Sequence, residues 1–211
     1  LKIKEKIKIL QEDENLVEII NRRIREFKVI RGKESECWFR ELCFCLLTAN
    51  YTAQGAINIC REENKTGAFT ACPVEDISVF LKKHKHRFPN ARAKYIYEAR
   101  QYCTEIKKII EDFKDEREAR EWLVKNIKGL GYKEASHFLR NMGYENVAII
   151  DRHILNVLYE NKIIPEIPKT MSKKKYLEIE KQLEKIAGEV NMNLAELDFY
   201  LWYMKTGKVL K

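Results

Sequence analysis

An all-α fold is predicted by three features of the 211-residue sequence. Glycine and proline are scarce, with 8 and 4 copies, so the long stretches between them can remain helical. Apolar residues recur through those stretches at three- and four-residue intervals, the signature of one helical face. The only strand-like run is Val147-Ala148-Ile149-Ile150. Four apolar residues read equally as a strand or as a buried extended connection, and no nearby segment offers a pairing partner.

Taken in chain order, Leu16, Ile19, Ile20, Ile24, Phe27 and Ile30 share the first helical face. Ile96, Ala99, Cys103, Ile106 and Ile110 form a second. Trp122, Leu123 and Ile127 belong to a helix that stops at Gly129, and another starts near Tyr132 with Ala135, Phe138 and Leu139 inward. Ile154, Val157 and Leu158 follow Asp151, and Leu194, Leu197, Leu201 and Met204 give the final helix. Breakers punctuate the chain at Arg31-Gly32-Lys33, Asn64 to Pro73, Phe88-Pro89, Gly129 to Gly131 and Pro165 to Pro168. There is no internal repeat, and the lysine run Lys173 to Lys175 reads as a solvated helix start.

The composition is that of a globular domain, 45% hydrophobic and 34% charged. Forty Lys and Arg against 32 Asp and Glu give a net charge of +8, which favours a polyanionic partner. The cysteines at 37, 43, 45, 60, 72 and 103 include no CxxC pair and no histidine at zinc-finger spacing. Cys37, Cys43, Cys45 and Cys103 stand among apolar helical residues and read as small buried hydrophobes, as expected of a reduced intracellular protein. The first ten residues alternate lysine with apolar residues and lack a signal-peptide core. No stretch approaches the length of a membrane span, so the expectation is a cytoplasmic protein without membrane contact.

The most informative segment is Ile127-Lys-Gly-Leu-Gly-Tyr-Lys-Glu-Ala-Ser-His-Phe-Leu139. Two glycines flanking one apolar residue allow a tight reversal with Leu130 packed beneath it. Such a turn leaves N–H groups at the start of the second helix that suit a phosphate oxygen, although Gly-Leu-Gly alone is equally an ordinary hairpin turn. Lys133 falls in the first turn of that helix, where the dipole disfavours a cation and so favours the neutral amine that a nucleophile needs. It could as well simply face water. Asp151 precedes an apolar-periodic run and reads as a helix N-cap, a place that also holds a carboxylate rigidly.

Gly129-Leu130-Gly131-Tyr132-Lys133-Glu134-Ala135, followed by Ile149-Ile150-Asp151-Arg152-His153-Ile154, resembles the helix-hairpin-helix Gly/Pro-rich–Asp superfamily of DNA glycosylases. Leu46 to Thr52 resembles the segment whose loop residue fills the gap left by an extruded base, and Arg87 to Ile96 resembles a further superfamily segment. The ending, Leu197 to Lys211, is similar to that of the archaeal-type 8-oxoguanine glycosylase/lyases. The resemblance spans roughly residues 35 to 211. The N-terminal β-rich domain of the eukaryotic 8-oxoguanine enzymes has no counterpart here. Nor does the four-cysteine iron–sulfur loop of endonuclease III and the adenine glycosylases, because no cysteine follows Cys103.

The resemblance implies two helical subdomains with the hairpin at the cleft between them. Residues 35–149, with the hairpin at about 118–141, would form one, and residues 1–34 with 150–211 the other. It implies a monomer that binds damaged duplex DNA and needs no cofactor, although some superfamily hairpins hold a monovalent cation on their carbonyls. The activity implied is excision of 8-oxoguanine with strand cleavage by β-elimination. Lys133 would attack the sugar and Asp151 would stabilise the developing positive charge. Gly129 and Gly131 would meet DNA through their amides, Asn50 would fill the gap, and His153 would touch a phosphate or simply be a solvated helix-start residue. Trp202 would stack on the base, or be a core tryptophan. Lys211 would supply a carboxylate acceptor for the N7 hydrogen that distinguishes 8-oxoguanine from guanine. Another oxidised base, or a non-enzymatic helix-hairpin-helix DNA-binding module, are the alternatives.

Overall fold

The computed structural model describes residues 2–209, and the described residues are helical with no strand. They fold into two compact units, one made of residues 30–138 and the other of residues 1–29 with 139–211. These divisions fall inside the helices Glu14–Arg31 and Tyr132–Asn141, whereas the sequence expectation put them at 35 and 149. No helix among the described residues is long and apolar enough to cross a membrane.

The unit of residues 30–138 is organised on α3. Labelled in chain order, α1 is Ile3–Gln11, α2 Glu14–Arg31, α3 Ser35–Thr48, α4 Ala53–Thr66, α5 Ala68–Ala71, α6 Val74–Lys83 and α7 Pro89–Ala99. Then come α8 Ile106–Glu111, α9 Glu116–Asn126 and α10 Tyr132–Asn141. From Trp38 onward α3 is apolar almost all round and buries Phe39, Leu42, Cys43, Phe44, Cys45, Leu46 and Leu47, as a helix enclosed by others must. Pro89 opens α7, where its missing N–H is not needed. Gly67 closes α4 in the left-handed conformation at φ 66°.

Two sequence expectations are corrected in this unit. The face Ile96 to Ile110 is not one helix: α7 ends at Ala99, a 3₁₀ turn covers Arg100–Tyr102, and α8 restarts at Ile106. Tighter bonds, Cys103 N–H to the Arg100 carbonyl at 2.9 Å and Glu105 N–H to that of Tyr102 at 3.0 Å, make the break. The Arg100 guanidinium meanwhile donates to the carbonyls of Phe69 and Cys72 at 2.9 and 2.6 Å. Ile96, Ala99, Ile106 and Ile110 are buried nonetheless. Cys37 is exposed, and Cys103 is only half-buried. All six cysteines are free thiols, and burial pushes the Cys43 thiol well above its ordinary value.

The other unit contains α1, most of α2, and three later helices: α11 Arg152–Glu160, α12 Lys173–Glu189 and α13 Leu194–Thr206. Along α2, Leu16, Ile20 and Phe27 are buried, while Ile19 is exposed at the edge of the apolar stripe. Phe27 stacks on Phe199 of α13 at 6.1 Å, and the Arg140 guanidinium lies 4.9 and 4.6 Å from the two ring centroids. Asn193 and Glu196 form a reciprocal capping box that starts α13.

Val147 to Ile150 is the extended connection and not a strand. It is buried, so its backbone groups need partners, and side chains of α12 supply them. Ala148 N–H donates to Glu180 Oε1 at 2.8 Å. Ile150 N–H donates to the Tyr176 hydroxyl at 3.2 Å, and that hydroxyl donates to the Ala148 carbonyl at 2.7 Å. Tyr176→Phe leaves two buried backbone groups unpaired. Urea denaturation should therefore show a loss of about 1–3 kcal/mol relative to the parent; an unchanged midpoint would mean the hydroxyl does not hold the connection.

Candidate active site

The segment Ile127–Gly131 joins α9 to α10 as a helix-hairpin-helix. Ile127 N–H closes on the Leu123 carbonyl at 2.9 Å, and Leu130 N–H returns to that of Ile127 at 3.2 Å. Leu130 is buried beneath the turn. Of the two glycines only Gly129 needs to be glycine for its backbone, at φ +91°. A Cβ there would also collide with the ring of Tyr95 on α7. The start of α10 is tied to α9 by the Tyr132 hydroxyl, which donates to the Glu121 carboxylate at 2.6 Å. Arg120, fully buried on α9, donates to the Ser136 hydroxyl at 3.1 Å and lies 5.4 Å from the Tyr132 ring.

Lys133 lies in the first turn of α10 and is partly exposed, with 26% of its side chain accessible. Its nearest acidic neighbour is Glu134, whose Oε1 is 3.7 Å from Nζ. The other oxygen of Glu134 accepts from Gly131 N–H at 3.2 Å. That hydrogen bond occupies one of the amides expected to be open at the start of this helix, since a carboxylate three residues on reaches back to the N-cap. Glu134 is thus a residue of the site that the motif reading passed over. Its place at the third helical position was the available signal.

Asn50 follows Ala49, the C-cap of α3, on an exposed turn at φ 56°, a conformation asparagine tolerates. Two buried cations or potential cations hold the turn in place. Arg92 donates to the Ala49 carbonyl at 2.7 Å, and His86 Nε2 lies 3.0 Å from the Leu47 carbonyl. Phe88 N–H donates to His86 Nδ1 at 3.1 Å, so the hydrogen is on Nε2 and the ring is the neutral donor to Leu47. Tyr51 packs on the same ring at 4.3 Å. Arg92 and Tyr95 are three residues apart on α7 and so neighbours on its surface; one fixes the Asn50 turn and the other the Gly129 turn.

Asp151, His153 and Trp202 are brought together in the second unit. Asp151 is the N-cap of α11, its Oδ1 accepting from Ile154 N–H at 2.8 Å. Its Oδ2 accepts from the indole N–H of Trp202 at 3.2 Å. The His153 ring meets that indole edge-on, 5.5 Å between centroids and 73° between planes. All three are half-buried. Lys211 lies outside the described residues. Among the described residues no cluster of three or more His, Cys, Asp or Glu could hold a metal ion.

This helical chain matches one family of DNA-repair proteins. The family model described as 8-oxoguanine DNA glycosylase matches residues 20–192. The 8-oxoguanine DNA glycosylase/AP lyase of Methanocaldococcus jannaschii is 56% identical over 207 residues, covering 97% of this chain and 99% of the relative. That of Korarchaeum cryptofilum is 53% identical, covering 92% and 91%. The crystal structure of the M. jannaschii glycosylase/lyase in complex with a 15mer DNA containing 8-oxoguanine has a TM-score of 0.95 at 55% identity, covering 99% of each chain. The Thermotoga maritima 8-oxoguanine DNA glycosylase has a TM-score of 0.90 at 40% identity, covering 98% and 99%. The chain belongs to the 8-oxoguanine DNA glycosylase family.

Two outcomes follow from this geometry. Gly129→Ala forces a left-handed alanine against Tyr95; the backbone term alone is about 1–2 kcal/mol, so the thermal midpoint should drop, and an unchanged midpoint would show that the turn rearranges freely. Burial holds the His86 imidazole below its ordinary value of about 6.5. The unfolded chain therefore binds the proton first. The stability from neutral His86 is complete above about pH 6.5 and is lost as pH falls through the lowered folded value. Melting curves between pH 7.5 and 5 should show this slope, and His86→Gln should remove its share.

Proposed function

We propose that this chain excises 8-oxoguanine from duplex DNA and then cleaves the strand, as a bifunctional DNA glycosylase and abasic-site lyase of base excision repair. The observation that carries the reading is a lysine in the first turn of the hairpin's second helix, in a chain 55% identical to a structure bound to 8-oxoguanine DNA. A glycosidic bond cannot be reached inside the stack, so the nucleotide is extruded before chemistry.

The neutral amine of Lys133 attacks C1′ of the extruded sugar. The bond from C1′ to the base nitrogen breaks, and its electron pair leaves with the base, which takes up a proton. Deprotonation of the new amine and opening of the sugar ring give a C1′=Nζ Schiff base. Loss of a proton from C2′ then expels the 3′ phosphate, which is β-elimination. Asp151 stabilises the positive charge that develops on the sugar as the base departs, and assists proton movement from the attacking amine. Its fixed position as an N-cap supports that role, because a preorganised carboxylate needs no reorganisation in the transition state.

For the DNA, the hairpin amides at Gly129 and Gly131 take a phosphate, which requires Glu134 to release the Gly131 N–H. Asn50, exposed on its left-handed turn, fills the gap in the duplex. His153 takes a phosphate near the lesion, and the Trp202 ring offers a flat face to the base.

Borohydride trapping tests the reading on a duplex with one 8-oxoguanine opposite cytosine. The parent should give a covalent protein–DNA adduct, Lys133→Gln should give none, and Asp151→Asn should give it about 100-fold or more slowly. Adducts with an abasic site but not with 8-oxoguanine would move the reading to another base. Adducts with neither would reduce the hairpin to a binding module.

A further inference from the structure

We infer that Trp202 is a positioning residue for Asp151, and that its indole N–H contributes to the chemical step independently of any contact with the damaged base. The inference rests on the glycosylase and lyase reading above.

A carboxylate at a helix N-cap is held by one oxygen, through the backbone N–H it accepts. That single bond leaves the carboxyl group free to turn about its own axis. Asp151 has a second donor. Oδ1 accepts from Ile154 N–H at 2.8 Å, and Oδ2 accepts from Trp202 Nε1 at 3.2 Å. Two donors on two oxygens fix the carboxylate plane, and with it the direction of the lone pairs that remain. The donors come from distant parts of the chain, one from the first turn of α11 and the other from the last turns of α13.

Trp202 is itself held. Its carbonyl accepts from the Thr206 hydroxyl at 2.8 Å, and Gly207 ends the helix at φ 65°. The edge-on contact of His153 with the indole, 5.5 Å between centroids, limits rotation of the ring. An indole has one N–H and no acceptor, so here that donor is committed to the aspartate. A stacking platform would need only the ring. The hydrogen bond to Asp151 is a separate property of the same side chain, and phenylalanine keeps the first while losing the second.

The abasic site separates the two, because it offers no base to stack on. Single-turnover rates and dissociation constants are compared for the parent, Trp202→Phe, Asp151→Asn and the double variant. The two substrates are a duplex with one 8-oxoguanine and the same duplex with a preformed abasic site. In Asp151→Asn the asparagine still caps the helix. Trp202→Phe should slow Schiff-base formation on both substrates by about 10- to 100-fold, with affinity for the abasic duplex unchanged. The double variant should be no slower than Asp151→Asn alone, since the tryptophan acts through the aspartate.

The rates are taken at saturating enzyme, where the single-turnover rate constant does not depend on the folded fraction, so loss of folding is not mistaken for loss of positioning. A Trp202→Phe variant slowed on 8-oxoguanine but at the parent's rate on the abasic site would overturn the inference in favour of base stacking alone. Multiplicative losses in the double variant would overturn it equally. If Asp151→Asn runs at the parent's rate, the role assigned to Asp151 fails and the positioning role with it. A parent that cleaves neither substrate sinks the proposed function itself.

Discussion

Residue 129 has no room for a side chain, and much of the first unit depends on that constraint. The ring of Tyr95 occupies the space a Cβ would need, at a backbone angle of +91° that side chains avoid. The contact sets how closely the hairpin approaches α7. One helical turn earlier, Arg92 reaches the other way and donates to the Ala49 carbonyl at 2.7 Å. Two turns from distant parts of the sequence are thereby held on one face of one helix. Burial lowers the Arg92 guanidinium from its ordinary value, opposed by Tyr95 and by Glu134. The bracket therefore carries a charge kept in place by a neighbour on its own helix and by Glu134 of the hairpin.

Local chemistry was legible in the sequence, and tertiary chemistry was not. The breakers at Gly32, Pro89, Gly129 and Pro165 all fall at helix ends or between helices, because each acts on its own backbone. Asp151 could be read as an N-cap from one position and the apolar run after it. The pairing of Gly129 with Tyr95 could not, since nothing in a spacing of 34 residues signals a ring over a glycine. Asp151 and Trp202 are 51 residues apart, so the hydrogen bond between them was equally invisible. The error over Ile96 to Ile110 has the same root: periodicity records which residues are buried, and two short helices joined by a tighter turn bury the same set.

The motif reading also treated Gly131 as a bare amide, and the structure shows why that is too simple. A helix start rarely leaves its donors empty if an acidic side chain stands three residues in. Glu134 is such a residue, and it also faces Lys133 at 3.7 Å. An anion taking the Gly131 amide would displace a carboxylate already there, and the two carry the same sign of charge. Binding at that amide would therefore be an exchange of one anion for another. Its net gain is smaller than the sum of an empty amide and a phosphate would suggest.

The same economy runs through the second unit. Val147 to Ile150 crosses the core extended and without a partner strand, so α12 supplies Glu180 and Tyr176 to satisfy its backbone. That connection delivers Asp151 directly, which means the carboxylate begins where a rigidly held segment ends. Its first oxygen starts α11 and its second engages α13. One side chain thus joins a buried connection and two helices, and it does so with hydrogen bonds that any folding chain would use. What turns a cap into a candidate catalytic group is the second donor, because a carboxylate fixed in plane as well as in place presents its charge in one direction.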